Sequence, residues 1–311
     1  MCVKHLTVGV FHDDSIGREL GKKGTESDIV MFNRKMSDQV CTFMSPVDDK
    51  LAAKSQIISS IDAAVVAFNS LTRELGETVV MLDSLGISAG IAVSSSYVTP
   101  DQVAAVTQGT SLKSFSVTDR DIPKLLEILK SYHPKRVSTS AAIVVVDHSF
   151  SVKGVGEVVL GFVRKGVVRK FDKLTLLPAN KEVLVRSIQI QDEDYDQAET
   201  GSRVGLALKG ATLEEMKRGS VLAPADAVKM STSLKLKFTK SSFYAEPIRE
   251  GAFHITVGMQ TIPVMVGEED DGWIAVNSEK PIVYTEEDTF LLLDLNAKKM
   301  RVIGKARTKA S

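Results

Sequence analysis

The 311 residues carry 39 basic and 39 acidic side chains, so the chain has no net charge, while 43% of it is hydrophobic. That balance excludes a molecule steered to nucleic acid by its overall charge and leaves such contacts to local patches. No apolar run reaches the roughly 20 residues of a membrane span, and the two cysteines, Cys2 and Cys41, exclude a disulfide framework and suit a reducing, cytoplasmic compartment.

The length predicts two or three domains. No secretory leader is expected, because Met1 to His5 run straight into the apolar stretch Leu6–Phe11, which reads as a buried strand. A polar loop is expected next. Asp28–Asn33 and Gln39–Met44 then suit a hairpin. Lys50–Ser60 reads as a helix, Ile61–Phe68 as a buried strand, and Leu71–Leu85 as a helix stopped by Gly86. Gly90–Val93 is a further strand, and Pro100 and Asp121-Ile122-Pro123 open two more helices. Strands alternating with helices predict a mostly parallel sheet covered on both faces.

From Asp147 to Leu222 the pattern changes. Short apolar runs, Glu157–Val163, Lys173–Leu177 and Val183–Ile188, alternate with turn signals such as Lys165-Gly166 and Pro178-Ala179-Asn180. That spacing predicts a closed β-barrel. Gly154-Val155-Gly156, Val185-Arg186-Ser187-Ile188-Gln189, Ala198 to Gly210 and Arg218-Gly219-Ser220-Val221-Leu222 together resemble the second domain of translation factors of the EF-Tu and SelB kind. Ser60–Ala67 is similar to a strand of the GTPase domain that precedes this barrel in the family. Leu20 to Ile29 looks most like an archaeal SelB-like paralogue group.

The resemblance implies an N-terminal GTPase-like doubly wound sheet over residues 1–137, a domain 2 type barrel over 138–225 and a second barrel over 226–311. The basic, Ser/Thr-rich stretch Pro134–Ser140 is the expected connector. In the third unit Leu234–Phe238, His254–Gly258, Pro263–Val266, Trp273–Val276 and Phe290–Leu293 read as strands. The length is expected to leave no room for the C-terminal extension of SelB.

A family GTPase uses four local devices, and each can be checked against the residues. A phosphate loop, GxxxxGK[ST], closes backbone N–H groups on phosphate, spans it with Lys and holds Mg²⁺ through a hydroxyl. Aligned after the first strand, His12 replaces the first glycine, Gly17 remains, Arg18 replaces Lys, and Glu19 replaces the hydroxyl residue. Asp13, Asp14 and Glu19 would face several negative charges. Each like-charge contact at ~4 Å costs about 4 kcal/mol at an effective dielectric of ~20, a factor of about a thousand in affinity. Arg18 could keep a phosphate contact through its planar fork. Met44–Asp48 stands where the family has DxPGH and keeps only Pro46, and a thioether does not replace a carboxylate on Mg²⁺. Ser95–Val98 offers no acid to read guanine, and Ser116–Thr118 is a weak counterpart of the SAK-like turn.

GTP and Mg²⁺ are therefore not expected as cofactors unless the eroded loop retains some binding. A polar turn, and a cation cluster of Asp13, Asp14, Glu19 and Asp48, remain alternatives for that region; no metal site is expected from histidine spacing. The resemblance implies a barrel face against which an amino acid esterified to tRNA is held, with Arg186 and Arg203 as candidate tRNA residues, or else as barrel-bracing arginines. The basic run Lys298, Lys299, Arg301, Lys305, Arg307 and Lys309 could neutralise phosphates or form a solvated terminal strand. Glu268–Asp271 and Glu286–Asp288 are expected to be exposed loops. The leading expectation is a monomeric, cytoplasmic translation protein that contacts tRNA or the ribosome, with no DNA or membrane partner and no GTP timer. A weak, slow GTPase and a regulatory adaptor for a protein partner are the alternatives.

Overall fold

A computed structural model describes residues 4–36, 38–134, 136 and 141–308. Cys2, Lys135 and Lys309 lie outside the described residues, as does most of the expected connector. The N-terminal unit contains β1 (Lys4–Phe11), α1 (Asp14–Leu20), β2 (Lys22–Glu26), β3 (Ile29–Lys35), β4 (Gln39–Pro46), α2 (Leu51–Ile58), β5 (Ala63–Ala67), α3 (Arg73–Ser84), β6 (Gly90–Val93), α4 (Pro100–Thr107), β7 (Ser116–Thr118) and α5 (Ile122–Lys130). The sheet order is β2-β3-β4-β1-β5-β6-β7. β1 runs parallel to β4 and β5, while β3 is antiparallel to β4.

Local chemistry explains the helix limits. Asp13, Thr72, Thr99 and Asp121 cap α1, α3, α4 and α5 through their side-chain oxygens. Thr99 and Gln102 form a capping box, with Pro100 at the first turn of α4. α1 and α5 cover one face of the sheet with Ile16, Leu20, Leu125 and Leu129. α2 and α3 cover the other with Ile57, Ile58, Leu75 and Val79.

Two N-terminal elements differ from the expected ones. Lys22–Glu26, expected within the polar loop after the first strand, is itself the strand β2 and pairs antiparallel with β3 at the sheet edge. It has no apolar alternation, so its pairing is carried by backbone bonds. Gly21 lies so close to β3 that a Cβ there would sit 3.0 Å from the Asn33 carbonyl oxygen. Ser116–Thr118, expected as a turn, is the strand β7, paired in parallel with β6.

The first barrel is built from β8 (Ile143–Val152), β9 (Gly156–Lys165), β10 (Val167–Arg169), β11 (Lys173–Leu177), β12 (Lys181–Ile190), β13 (Glu193–Tyr195), β14 (Gln197–Glu199), β15 (Arg203–Lys209) and β16 (Val221–Ala223). The ring runs β11-β16-β8-β9-β15-β12 and closes by β12 pairing with β11. Val144, Val159, Leu176, Val185 and Leu206 fill its interior. β10 and β14 form a separate two-stranded flap.

The second barrel is the closed ring β17 (Lys229–Lys240), β20 (Trp273–Tyr284), β19 (Gln260–Val266), β18 (Gly251–Val257), β21 (Thr289–Leu293) and β22 (Val302–Arg307). Of the basic C-terminal run, Lys305 and Arg307 lie on this last strand, which pairs with β17 and β21, while Lys298, Lys299 and Arg301 precede it. Arg301 does not reach outward: its Nη2 lies 2.6 Å from Glu77, a fully buried carboxylate on α3. In Glu286–Asp288, Glu286 and Glu287 are exposed in a turn as expected, whereas Asp288 is not. Asp288 is buried and meets Arg164 at 2.8 Å, and Glu287 pairs with Lys165, so the segment clasps one barrel to the other.

One apolar cluster joins all three units, taking Ile57 and Val79 from the α/β unit, Ile143 and Phe162 from the first barrel, and Leu291, Leu293 and Val302 from the second. Among the described residues no helix is long and apolar enough to cross a membrane.

Candidate functional site

Three places bear on the chemistry: the start of α1, a small pocket beside it, and a large cleft. At the first, β1 ends at Phe11, His12 adopts a φ of +66°, and Asp13 already caps the helix. Gly17, Arg18 and Glu19 lie inside α1, not in a loop. Only His12 and Asp13 separate strand from helix, a shorter connection than the four residues between the glycines of GxxxxGK[ST]. Gly17 serves packing instead: a Cβ there would come within 2.8 Å of the Phe32 ring.

The charges at this end neutralise one another. The Asp13 carboxylate accepts the Ser15 N–H at 3.1 Å, the place an anion would take at a helix start. Arg120 donates to Ser15 Oγ at 2.8 Å and to Glu19 at 2.5 Å, with its Nε 3.4 Å from Asp13. Arg18 pairs with Asp14 one turn back, and Asp48 with Lys50 at 3.2 Å. The four acids weighed as a cation cluster thus each face a cation rather than one another.

Beside this end lies a pocket of about 280 Å³, lined by His12, Asp49, Asn69, Ser70, Thr72 and Glu74. Lys54 is fully buried nearby, ion-paired with Asp49 at 2.7 Å and donating to the Glu74 carbonyl at 3.3 Å. Burial, and then the charge of Lys54, lower the His12 pKa to about 4, so the ring is neutral at ordinary pH. Its Nε2 lies 2.9 Å from Thr78 Oγ1. The pocket falls just below the ~300–1,000 Å³ of ordinary ligand sites. Ser95 turns its hydroxyl onto the N–H groups of Tyr97 and Val98, each at 3.2 Å, closing the loop after β6 on itself.

The large cleft, about 1120 Å³, separates α1, β2 and β3 from the outer face of the first barrel. Arg18, Lys22, Lys23, Arg34 and Lys35 line one wall beside Glu19, and Asp192 and Asp194 also reach the cleft. Phe150, Val158 and Leu160 line the other, with Gly205 and Ala207 between the larger residues as a flat floor. Lys23 and Lys35 meet Glu26 and Glu193, whereas Lys22 has no ion pair among the described residues. Gln191 also lines the cleft, at a φ of +49°, and its buried amide nitrogen has no partner among the described residues.

The two candidate arginines are put to different uses. Arg203 gives its Nε to buried Asp147 at 2.9 Å and its Nη2 to Thr25 Oγ1 at 2.8 Å. It bolts β2 to the barrel at the back of the cleft, which it also lines. Arg186 is exposed on a bulge of β12 and does not line the cleft. Sequence reasoning misses the cleft because its walls belong to separate units; the doublet Lys22-Lys23 beside Gly21 and Gly24 is the available signal.

The family model for Elongation factor Tu domain 2 matches residues 156–223. An uncharacterized protein of Methanocaldococcus jannaschii is 36% identical over 303 residues, covering 96% of this chain and 98% of its own. The selenocysteine-specific elongation factor of the same organism is 37% identical over 150 residues, which are 46% of this chain and 31% of that protein's length. Among solved structures, apo translation elongation factor SelB from Methanococcus maripaludis superposes with a TM-score of 0.82 at 23% identity, covering 100% of this chain and 80% of that one. The same factor in complex with the GTP analogue GPPNHP gives 0.83 at 22% identity, covering 99% and 79%. At such identities these structures establish the fold alone.

Proposed function

The chain belongs to the elongation-factor-like proteins of the EF-Tu/SelB type, and from that premise we propose that it is a cytoplasmic RNA-binding protein of the translation apparatus. It holds tRNA or contacts the ribosome, and it does not use GTP as a timer. The observation that carries the binding half is the cleft. A wall of cations across from an apolar floor suits a nucleic-acid end, with phosphates on one side and a stacked or esterified apolar group on the other. Gln191 adds a buried donor without a partner among the described residues.

The absence of a timer is supported by the start of α1, where the Asp13 carboxylate already accepts the Ser15 N–H and faces Arg120. It is supported too by how the α/β unit is tied down. Ser55 and Gln56 on α2 bond Thr256 and Thr261 of the second barrel at 3.0 and 3.2 Å. These bonds need no nucleotide.

A gel shift with bare and aminoacylated tRNA across a salt series tests the first half: saturable binding that weakens with salt is expected. No shift at the lowest salt sinks it. Titration with labelled GTP and Mg²⁺ tests the second. No saturation in the micromolar range is expected, and micromolar saturable binding restores the reading of a weak GTP-binding factor.

A further inference from the structure

Phe171 is out of place by every folding criterion. It follows β10 in the turn to β11, with a φ of +72°, and its side chain is 67% exposed. A bulky residue in the left-handed region is strained, and strain of this kind persists only where surrounding bonds enforce it. Here they do: the Phe171 N–H donates to the Val185 carbonyl at 2.8 Å and the Val185 N–H to the Asp172 carbonyl at 3.0 Å. The Asp172 carboxylate accepts the Arg169 N–H at 2.7 Å. The ring gains little burial in return, so the residue costs stability without serving the core.

Its neighbours are cationic. Lys170 holds its ammonium 5.4 Å from the ring centroid. Arg186, exposed at the bulge of β12, follows Val185, whose carbonyl accepts the Phe171 N–H, and Arg169 precedes Lys170 in the turn. Among the described residues none of these three cations has an ion-pair partner. Two acids lie close: Asp172, turned onto the Arg169 N–H, and Asp196, whose carbonyl accepts the Lys170 N–H at 2.9 Å.

We propose that this turn is a stacking platform for single-stranded RNA. Phe171 receives an unpaired base on its exposed ring, and Arg186, Arg169 and Lys170 contact the flanking phosphates. Base stacking on aromatic side chains beside cations is how proteins hold single strands without reading sequence. A protein partner would want the ring at the centre of a dry apolar patch, whereas Phe171 sits between Lys170 and Asp172. Neither Phe171 nor Arg186 lines the cleft, so this is a second RNA contact on the same molecule. The choice of RNA rests on the proposed function above.

The test uses the full chain, an unstructured oligo(A) RNA of about twelve nucleotides, and tRNA, followed by fluorescence anisotropy. Phe171→Gly removes the ring and suits the positive φ. Its oligo(A) affinity should fall about tenfold while Tm rises by about 2–4 °C. Arg186→Gln should weaken binding and make the salt slope shallower by about 0.7. Oligo(A) binding unchanged by Phe171→Gly overturns the platform, and so does a fall in Tm, which would give the ring a folding role. If tRNA still binds in that case, the cleft reading stands alone; if wild-type protein binds neither RNA, both readings fall.

Discussion

The α/β unit meets its two barrels in opposite ways. Against the second barrel the contact is dry. Fully buried Glu77 accepts from the Arg301 Nε, Nη2 and backbone N–H, and Ser55 meets Thr256 with both residues fully buried. Leu291, Leu293 and Val302 pack into the same apolar cluster as Ile57 and Val79. Against the first barrel the contact is a cleft of about 1120 Å³, bridged at its back by Arg203 to Thr25 and flanked by Arg218 to Asp28 and Ser27. Apolar burial with satisfied polar groups makes a contact that serves the fold. An open cleft with Lys22 free of any ion pair among the described residues leaves room for a ligand.

The comparison breaks first at Arg301. Arg301→Ala strands the Glu77 carboxylate in the interior, and removing one partner of a buried pair costs about 3–5 kcal/mol. Urea denaturation should show that loss, while tRNA affinity measured well below the melting range stays unchanged. A cost under about 1 kcal/mol would mean that the dry contact does not hold the units together.

Acid should weaken the molecule next. The His12 pKa is lowered from 6.5 to about 4 by burial and then by Lys54. Between those values the unfolded chain takes up a proton that the folded chain refuses. Stability contributed by His12 is therefore full above pH 6.5 and falls as the pH drops toward 4. The loss is about 2 kcal/mol after allowing for partial exposure. His5 is shifted in the same direction, by burial first and then by Arg136. His12→Asn tolerates the positive φ and should flatten, without abolishing, the slope of urea midpoint against pH.

Much of this division is legible in the sequence, but not at the places that matter most. Buried runs such as Val8-Gly9-Val10-Phe11 and Ala63–Ala67 announce strands because both faces of the sheet are covered, and the first barrel announces itself by its repeating short strands. The start of α1 is easily mistaken for a loop. Ile16 and Leu20, four apart behind the capping residue Asp13, carry the helix signal. The partners of Arg203 and Arg301 are not legible: Asp147 lies 56 positions from Arg203, and Glu77 lies 224 from Arg301. The cleft exists only because β2 and β15 face each other across two units, which no local pattern encodes.

Gly17→Ala sharpens the comparison on α1, which forms part of both the core and the cleft wall. A Cβ at 2.8 Å from the Phe32 ring overpacks the sheet. The expected cost is about 1–3 kcal/mol in stability, read by thermal unfolding, with no effect on nucleotide titration. An unchanged Tm would show that α1 can shift, and that this face of the core is looser than its burial implies.

The smallest effect is the most discriminating. Lys22 is exposed on β2, faces the cleft and has no ion pair among the described residues. Lys22→Glu removes one cation and adds one anion without touching a buried group. Stability should stay within about 0.5 kcal/mol of wild type. The tRNA affinity at low salt should fall about tenfold, and the slope of log affinity against log salt should become shallower by about 0.7–0.9, because one phosphate is no longer neutralised. Raising the salt should erase most of the difference, because the interaction is screened. If Lys22→Glu instead lowers Tm and leaves the salt series untouched, β2 is a structural edge like any other, and the open interface loses its claim to a ligand.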